Sequence, residues 1–377
     1  MQERDQLESF FMKTTLDTMS KNHKIAYKHC LGAIFINLIS GRGWTRWQND
    51  NYKILEGVKN LPRKRTDFEE VTKRIASVVY PSLEKNHFLK PYNTTILDKI
   101  INFTRVRLRE LKDKDNSLFQ ASELVDIIDL KSFFGHKSVE KHHWIDFDLR
   151  SGLVLTLPEA IIFHDLKVHW NEFVRLVNSL KEEQSQHQSR RERFEYAKSE
   201  PAREKFYKRS AAARTLIFLC VSFVESYLLN LFYTIKEGDV PEKSVVSGML
   251  AQSRIEDQMI VDGVIYKMFP GFKASLDEMY KAYKLTNNFR NRYVHASPFI
   301  DTATNISHLQ PLLAVNDDVV IKSLQNALDF VRTLDSLLPD NLKLLFWWYD
   351  ENMISFRDMK PLRLTNRESR FEKMRYI

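Results

Sequence analysis

Residues 211–235 read AAARTLIFLCVSFVESYLLNLFYTI, apolar nearly all the way round a helical wheel rather than along one stripe. Only a helix covered on several sides buries such a surface, so this segment is expected at the centre of a helical domain. Shorter amphipathic patterns follow at 242–258, 272–294 and 319–338, separated by Gly263, Pro270-Gly271, Ser297-Pro298 and Pro311. Helices joined by short breaks pack as a bundle, here of four or five helices over residues 211–350. The stretch from Arg357 to the end holds seven Lys or Arg against three acids, and 351–377 reads as a basic C-terminal tail.

Upstream, residues 186–210 carry Arg190, Arg191, Arg193, Lys205, Lys208 and Arg209, with Pro201 interrupting the helical pattern. This stretch reads as a basic linker or helix. It fits a surface that holds a nucleic-acid backbone and a solvated connector equally well. Before it, Pro158 and Glu159 open an amphipathic helix whose Ile162, Leu166, Trp170, Phe173, Val174, Val177 and Leu180 keep helical spacing. The one clear β signal is 144–157, where WIDFDLR and LVLTL alternate on either side of Ser151-Gly152, a hairpin.

Apolar residues recur at helical spacing over 10–39, 68–83 and 96–111. Within the last of these, FTRVRLREL (103–111) suits helix and strand alike, because Arg105, Arg107 and Arg109 alternate with Val106 and Leu108. Those arginines, with Trp44 and Trp47, fit a recognition surface as well as they fit core packing and solvated charge. The fold class is therefore mainly α: a helical N-terminal domain, 1–185, with one small hairpin, then the basic stretch and the bundle.

Composition agrees. A chain of 377 residues has room for two domains, and 10 Gly with 11 Pro is too few for turn-rich sandwiches or collagen-like repeats. The formal charge of +8 hints at nucleic acid or an acidic partner. Cys30 and Cys220 are too few for a disulfide framework, which suits a reducing cytoplasm, and both read as buried packing. The opening residues lack the charge-then-apolar order of a secretory signal, and the apolar run 31–39 is too short to span a bilayer. No membrane partner is expected. The sequence holds no GxxxxGK[ST], GxGxxG or HExxH pattern. Asp165 and His169 have metal-ligand spacing without further ligands, and His142-His143 reads as a solvated pair, so no metal or other cofactor is expected.

The segment 287–298, NNFRNRYVHASP, concentrates amide, guanidinium and imidazole groups at a helix end. Asn291 and His295 are i, i+4 neighbours, and Arg290 lies about 140° from His295 on an ideal helix. Convergence of Arg290 on His295 thus requires Arg reach, a distorted last turn before Pro298, or a second subunit. A helix C-terminus favours the imidazolium and keeps His295 where it can take and give a proton.

Arg290-Asn291 followed by His295, downstream of an apolar helix that contains Glu225, resembles the HEPN superfamily of helical ribonucleases and RNA-binding modules, over about 205–345. The resemblance implies a homodimer that cuts RNA without a metal, leaving a 2′,3′-cyclic phosphate and a 5′-hydroxyl. His295 would act on the 2′-hydroxyl or the leaving oxygen, Arg290 would stabilise charge on the phosphate, and Asn291 would orient the imidazole or hold the phosphate. Glu225 would orient Arg290. Tyr293 would be a core or dimer-face aromatic, and Arg292 a surface charge or second phosphate contact. Stand-alone chains of this kind resemble effectors of toxin or phage-defence systems, which implies an antitoxin or sensor partner. Tyrosine-modified toxins of the family carry Tyr two residues after the His, and here Ser297 stands there. The same motif also fits an inactive bundle that binds nucleic acid or a partner chain.

Overall fold

The computed structural model describes residues 10–12, 16–39, 94–149, 151–252, 254–294, 300–301, 306–307 and 317–349, with residues 70, 73, 77 and 354. The chain forms two compact units, Met1–Leu157 and Pro158–Ile377. It is mainly helical with a small antiparallel sheet, as the sequence implies.

In the first unit, α1 (Lys21–Ile39) buries residues around most of its circumference, Ala26, Cys30, Ile34 and Phe35 among them. It packs on α2 (Thr94–Lys114). The ambiguous 103–111 segment lies inside α2 and is helical. Leu97, Ile100, Ile101, Phe103, Thr104, Leu108 and Leu111 make a buried stripe, which a strand would have split between two faces. The arginines scatter: Arg109 is exposed, Arg105 donates to Asn102 Oδ1 at 2.6 Å, and Arg107 is buried. Arg107 pairs with Glu110 at 3.0 Å and Glu123 at 3.1 Å and lies over the Phe119 ring at 5.3 Å. A shared basic face over 105–109 is therefore not formed. Trp44 and Trp47 lie outside the described residues.

The expected hairpin is β2 (Trp144–Asp148) and β3 (Gly152–Thr156), paired from Trp144–Thr156 to Asp148–Gly152. Gly152 closes the turn at φ +83°, where a side chain would be strained. Ile145 and Phe147 point into the core while Trp144 stays exposed, the period of two expected of a half-buried strand. A third strand, β1 (Leu118–Gln120), joins the other edge of β2 antiparallel and was not legible in three residues of sequence.

The second unit is built on α4 (Pro158–Ser185), α5 (Arg190–Lys198), α6 (Glu200–Glu237), α7 (Asp257–Ile260), α8 (Phe272–Val294) and α9 (Asp317–Leu337). Short turns fill 241–250, where one continuous helix was expected. A single π-helical turn, Val261–Ile265, follows α7. Gly263 in that turn faces the Met249 side chain, whose Cε would lie 2.7 Å from an added Cβ. A two-residue ladder pairs β4 (Ile300–Asp301) with β5 (Ile306–Ser307).

The all-round apolar segment forms most of α6, at about 57 Å the spine of this unit. Leu216, Cys220, Phe223, Val224, Tyr227, Leu231 and Ile235 are buried, and α4, α8 and α9 all pack on it. Each large apolar side chain buried there contributes roughly 1.5–3 kcal/mol. By length and composition α6 is apolar enough to cross a membrane, but most of its apolar stretch is buried within the fold. The burial is that of a core helix.

Two boundaries differ from the sequence reading. The amphipathic helix 158–185 belongs to the second unit, because Phe163, Leu166, Trp170, Phe173 and Val177 pack into the α6 core. The units divide at 157/158 rather than 185/186. Residues 186–210 are not a plain linker, since α5 and the first turns of α6 occupy them. Pro201 starts α6 rather than interrupting it: the missing N–H costs nothing in a first turn, and Ser199 Oγ accepts from Ala202 N at 3.4 Å. α5 begins with a capping box between Ser189 and Glu192.

Candidate functional site

Tyr283, Asn287 and Arg290 stand at i, i+4 and i+7 on α8, so one helical face presents a phenol, an amide and a guanidinium. Two carboxylates meet that face. Arg290 Nη2 pairs with Glu225 Oε1 from the middle of α6. Asp257 Oδ2, at the start of α7, accepts from Tyr283 OH at 3.2 Å and from Asn287 Nδ2 at 3.0 Å, while its Oδ1 accepts from Gln258 N at 2.9 Å. Asn287 Oδ1 is buried and has no partner among the described residues.

Below the face, Tyr283 stacks on Phe330 of α9 and Tyr280 packs on the same ring at a tilt, which fixes the rotation of α8. Burial, together with the Asp257 charge, drives both phenols well above the usual range. Both phenols are neutral at any physiological pH, and Tyr283 donates to Asp257. Burial also raises the Glu225 carboxyl; Arg290 opposes that rise and Asp257 adds to it. The pair is thus a guanidinium held by a carboxylate that carries more proton affinity than a solvated one. Arg290 and Glu225 retain 22% and 38% of their side-chain exposure, so an anion from solvent has access to the guanidinium.

Glu225 and Arg290, singled out from the sequence, therefore meet. Asn291 lies on α8 and is exposed. Arg292 and Tyr293 fall in the last turn of α8, and His295 lies outside the described residues. Asp257, Tyr283 and Asn287 were not anticipated. Polar side chains at i, i+4 on the core-facing side of an amphipathic helix were a usable signal for the last two, whereas nothing local marks Asp257.

The basic residues of 186–210 divide by role. Lys205 pairs with Glu183, whose other oxygen accepts from Tyr196, so one carboxylate ties α4, α5 and α6 together. Arg209 Nε donates to the buried Asp317 Oδ1 at 2.9 Å. Lys208 pairs with Glu204 at 2.7 Å within the exposed face of α6. Arg191 and Arg193 are exposed, with Arg193 Nε donating to His187 O at 3.0 Å, and Arg190 opens α5. Lys205 and Arg209 thus serve internal ion pairs.

A second polar group lies inside the core. Glu159, fully buried at the start of α4, accepts from Asn230 Nδ2 at 2.8 Å, and its Oε2 has no partner among the described residues. Burial lifts its carboxyl to about 7, with the Asp335 charge adding to the rise. Asp335 Oδ1 accepts from Tyr227 OH at 3.0 Å and from Leu344 N at 2.7 Å.

Among the described residues no group of three or more His, Cys, Asp or Glu is arranged to hold a metal ion. His164 and Asp165 point outward on α4. His143 is buried rather than solvated, its Nδ1 accepting from Glu140 N at 3.0 Å. Both thiols are buried, and burial pushes Cys30 up to about 12 and Cys220 further. Comparison with protein-family models, curated proteins and solved structures finds no match.

Proposed function

We propose that the second unit is an endoribonuclease of the HEPN type that cuts RNA without a metal ion. The observation that carries this reading is the Arg290–Glu225 pair: a guanidinium on the motif helix, oriented by a carboxylate from the apolar helix and still open to an anion. In the reaction, His295 takes the 2′-hydroxyl proton as the 2′-oxygen attacks phosphorus. The P–O5′ bond breaks, and the imidazolium returns that proton to the leaving 5′-oxygen. The products are a 2′,3′-cyclic phosphate and a 5′-hydroxyl. Arg290 leaves Glu225 for the phosphate and balances the charge that grows there, with Asn291 holding the phosphate or the imidazole. A homodimer, a cytoplasmic setting, a toxin or phage-defence role and an antitoxin or sensor partner belong to the same reading.

The test is incubation of wild-type and Arg290→Ala/His295→Ala protein with tRNA and mixed RNA in EDTA, with the new ends mapped. Cleavage by the wild type alone, leaving cyclic-phosphate ends, is expected. Equal cleavage by both proteins, or 3′-hydroxyl ends, overturns the mechanism. Arg290 is already neutralised by Glu225, an arrangement that also suits a catalytically silent bundle that binds nucleic acid or another protein. RNA left intact by both proteins selects that reading.

A further inference from the structure

Glu183 fixes the rotation of two helices at once: Tyr196 of α5 and Lys205 of α6 both turn toward it. Residues two positions apart on a helix are about 200° apart, so Phe194 on α5 and Tyr207 on α6 each point away from that anchor. Both are open to solvent, Phe194 at 58% and Tyr207 at 68%. Neither belongs to a hydrophobic core cluster, so packing among the described residues does not account for them.

Cations flank each ring at helical spacing. On α5, Lys198 lies over Phe194 with Nζ 4.1 Å from the ring centroid, and Arg191 is one turn before it. On α6, Arg203 stands one turn before Tyr207 and Arg214 two turns after it. The carboxylates of this neighbourhood are largely committed. Glu192 closes the capping box, Glu204 pairs with Lys208 and Glu183 with Lys205, leaving Glu195 and Glu200 as counter-charges. Flat rings interleaved with guanidinium and ammonium groups suit stacked bases joined by phosphates. Bases in a duplex are already stacked on one another, so rings exposed for stacking suit a single strand better than a duplex.

We propose that the outer face of α5 and the N-terminal half of α6 is a single-stranded nucleic-acid platform, with bases stacking on Phe194 and Tyr207 and phosphates held by Arg191, Lys198, Arg203 and Arg214. The choice of RNA over DNA as its occupant rests on the ribonuclease reading; the platform itself does not. The site differs from the set seen in sequence: of those six cations only Arg191 remains, Lys198, Arg203 and Arg214 take the place of the others, and two aromatics enter.

The test uses the full chain and fluorescein-labelled 15-mers: 2′-O-methyl RNA, which has no 2′-hydroxyl to attack, single-stranded DNA, and duplex RNA. Anisotropy titrations are run at several salt concentrations. Phe194→Ala/Tyr207→Ala should weaken single-strand binding at least about tenfold. Phe194→Tyr/Tyr207→Phe should restore it, and Arg203→Ala/Arg214→Ala should lower the salt slope by about 1.4. Unchanged circular dichroism shows that these surface variants fold. Wild-type affinity in the alanine pair, or equal affinity for duplex RNA, overturns the platform. DNA bound as tightly as RNA keeps the platform and removes only its RNA preference. Wild-type protein that binds the 15-mer but never cuts unmodified RNA refutes the nuclease and leaves the platform standing. Undiminished cutting and binding by the alanine pair does the reverse.

Discussion

Replacing Glu159 by Gln should stabilise the protein at neutral and alkaline pH and do little in acid. The carboxyl is fully buried, with hydrogen bonds from Asn230 and its own backbone and with Oε2 unpartnered among the described residues, and burial lifts it from 4.5 to about 7. Below pH 4.5 both folded and unfolded chains hold the proton, and the group costs nothing. Between 4.5 and 7 the unfolded chain releases it while the folded one retains it, so stability falls as pH rises. Above 7 the full cost is present: a gap of about 2.5 pH units, at about 1.4 kcal/mol each, comes to about 3–4 kcal/mol. Glutamine has the same shape, keeps an oxygen for Asn230 and carries no charge to desolvate. The assay is urea unfolding of wild type and Glu159→Gln at pH 5 and pH 8, followed by Trp fluorescence. The advantage of the variant should grow by roughly 2 kcal/mol from pH 5 to pH 8. A pH-independent difference, or an advantage that shrinks with rising pH, refutes the assignment of an uncompensated buried carboxyl.

Arg209 and Asp257 carry the remaining predictions. Arg209→Ala strands Asp317, whose side chain is only 4% exposed, and should lower stability by roughly 2–4 kcal/mol in denaturant titrations. Its RNA affinity should stay near wild type, because this cation is committed internally. Asp257→Asn removes a negative charge that pushes the Glu225 carboxyl up, so Glu225 should titrate lower in the variant, read from its carboxyl carbon shift by NMR. Asn retains an oxygen for Tyr283 and Asn287 where Ala has none, and Asp257→Ala should be the less stable variant by about 1–2 kcal/mol.

What sequence revealed and what it hid divides by the range of the interaction. Residues 211–235 announced a core helix because apolarity all round is a local property, and α8 fills 272–294 because its stripe and the breaks around it are local too. The hairpin followed from alternation and a turn pair. β1 is too short to carry a period, and only its pairing to β2 makes it a strand. The basic stretch looked uniform because charge alone is local. Its division into anchors and free cations depends on Glu183, 22 residues before Lys205, and Asp317, 108 residues beyond Arg209. The candidate site shows the same split: Arg290 and Glu225 were legible as types, whereas the second carboxylate, Asp257, reaches Tyr283 and Asn287 across 26 and 30 residues.

Ser199 is both the last cap of α5 and the first cap of α6, so the two helices meet at one residue with no slack between them. Each residue of an α-helix carries 100° of rotation and about 1.5 Å of advance. Losing or gaining one residue at that corner would turn Phe194 and its cations by a quarter-turn or more relative to Tyr207, and would pull Tyr196 off Glu183. Chain length is therefore the constrained quantity at this corner, more than residue identity. A Thr or Asp there preserves the caps, while a single-codon insertion puts the two faces out of phase.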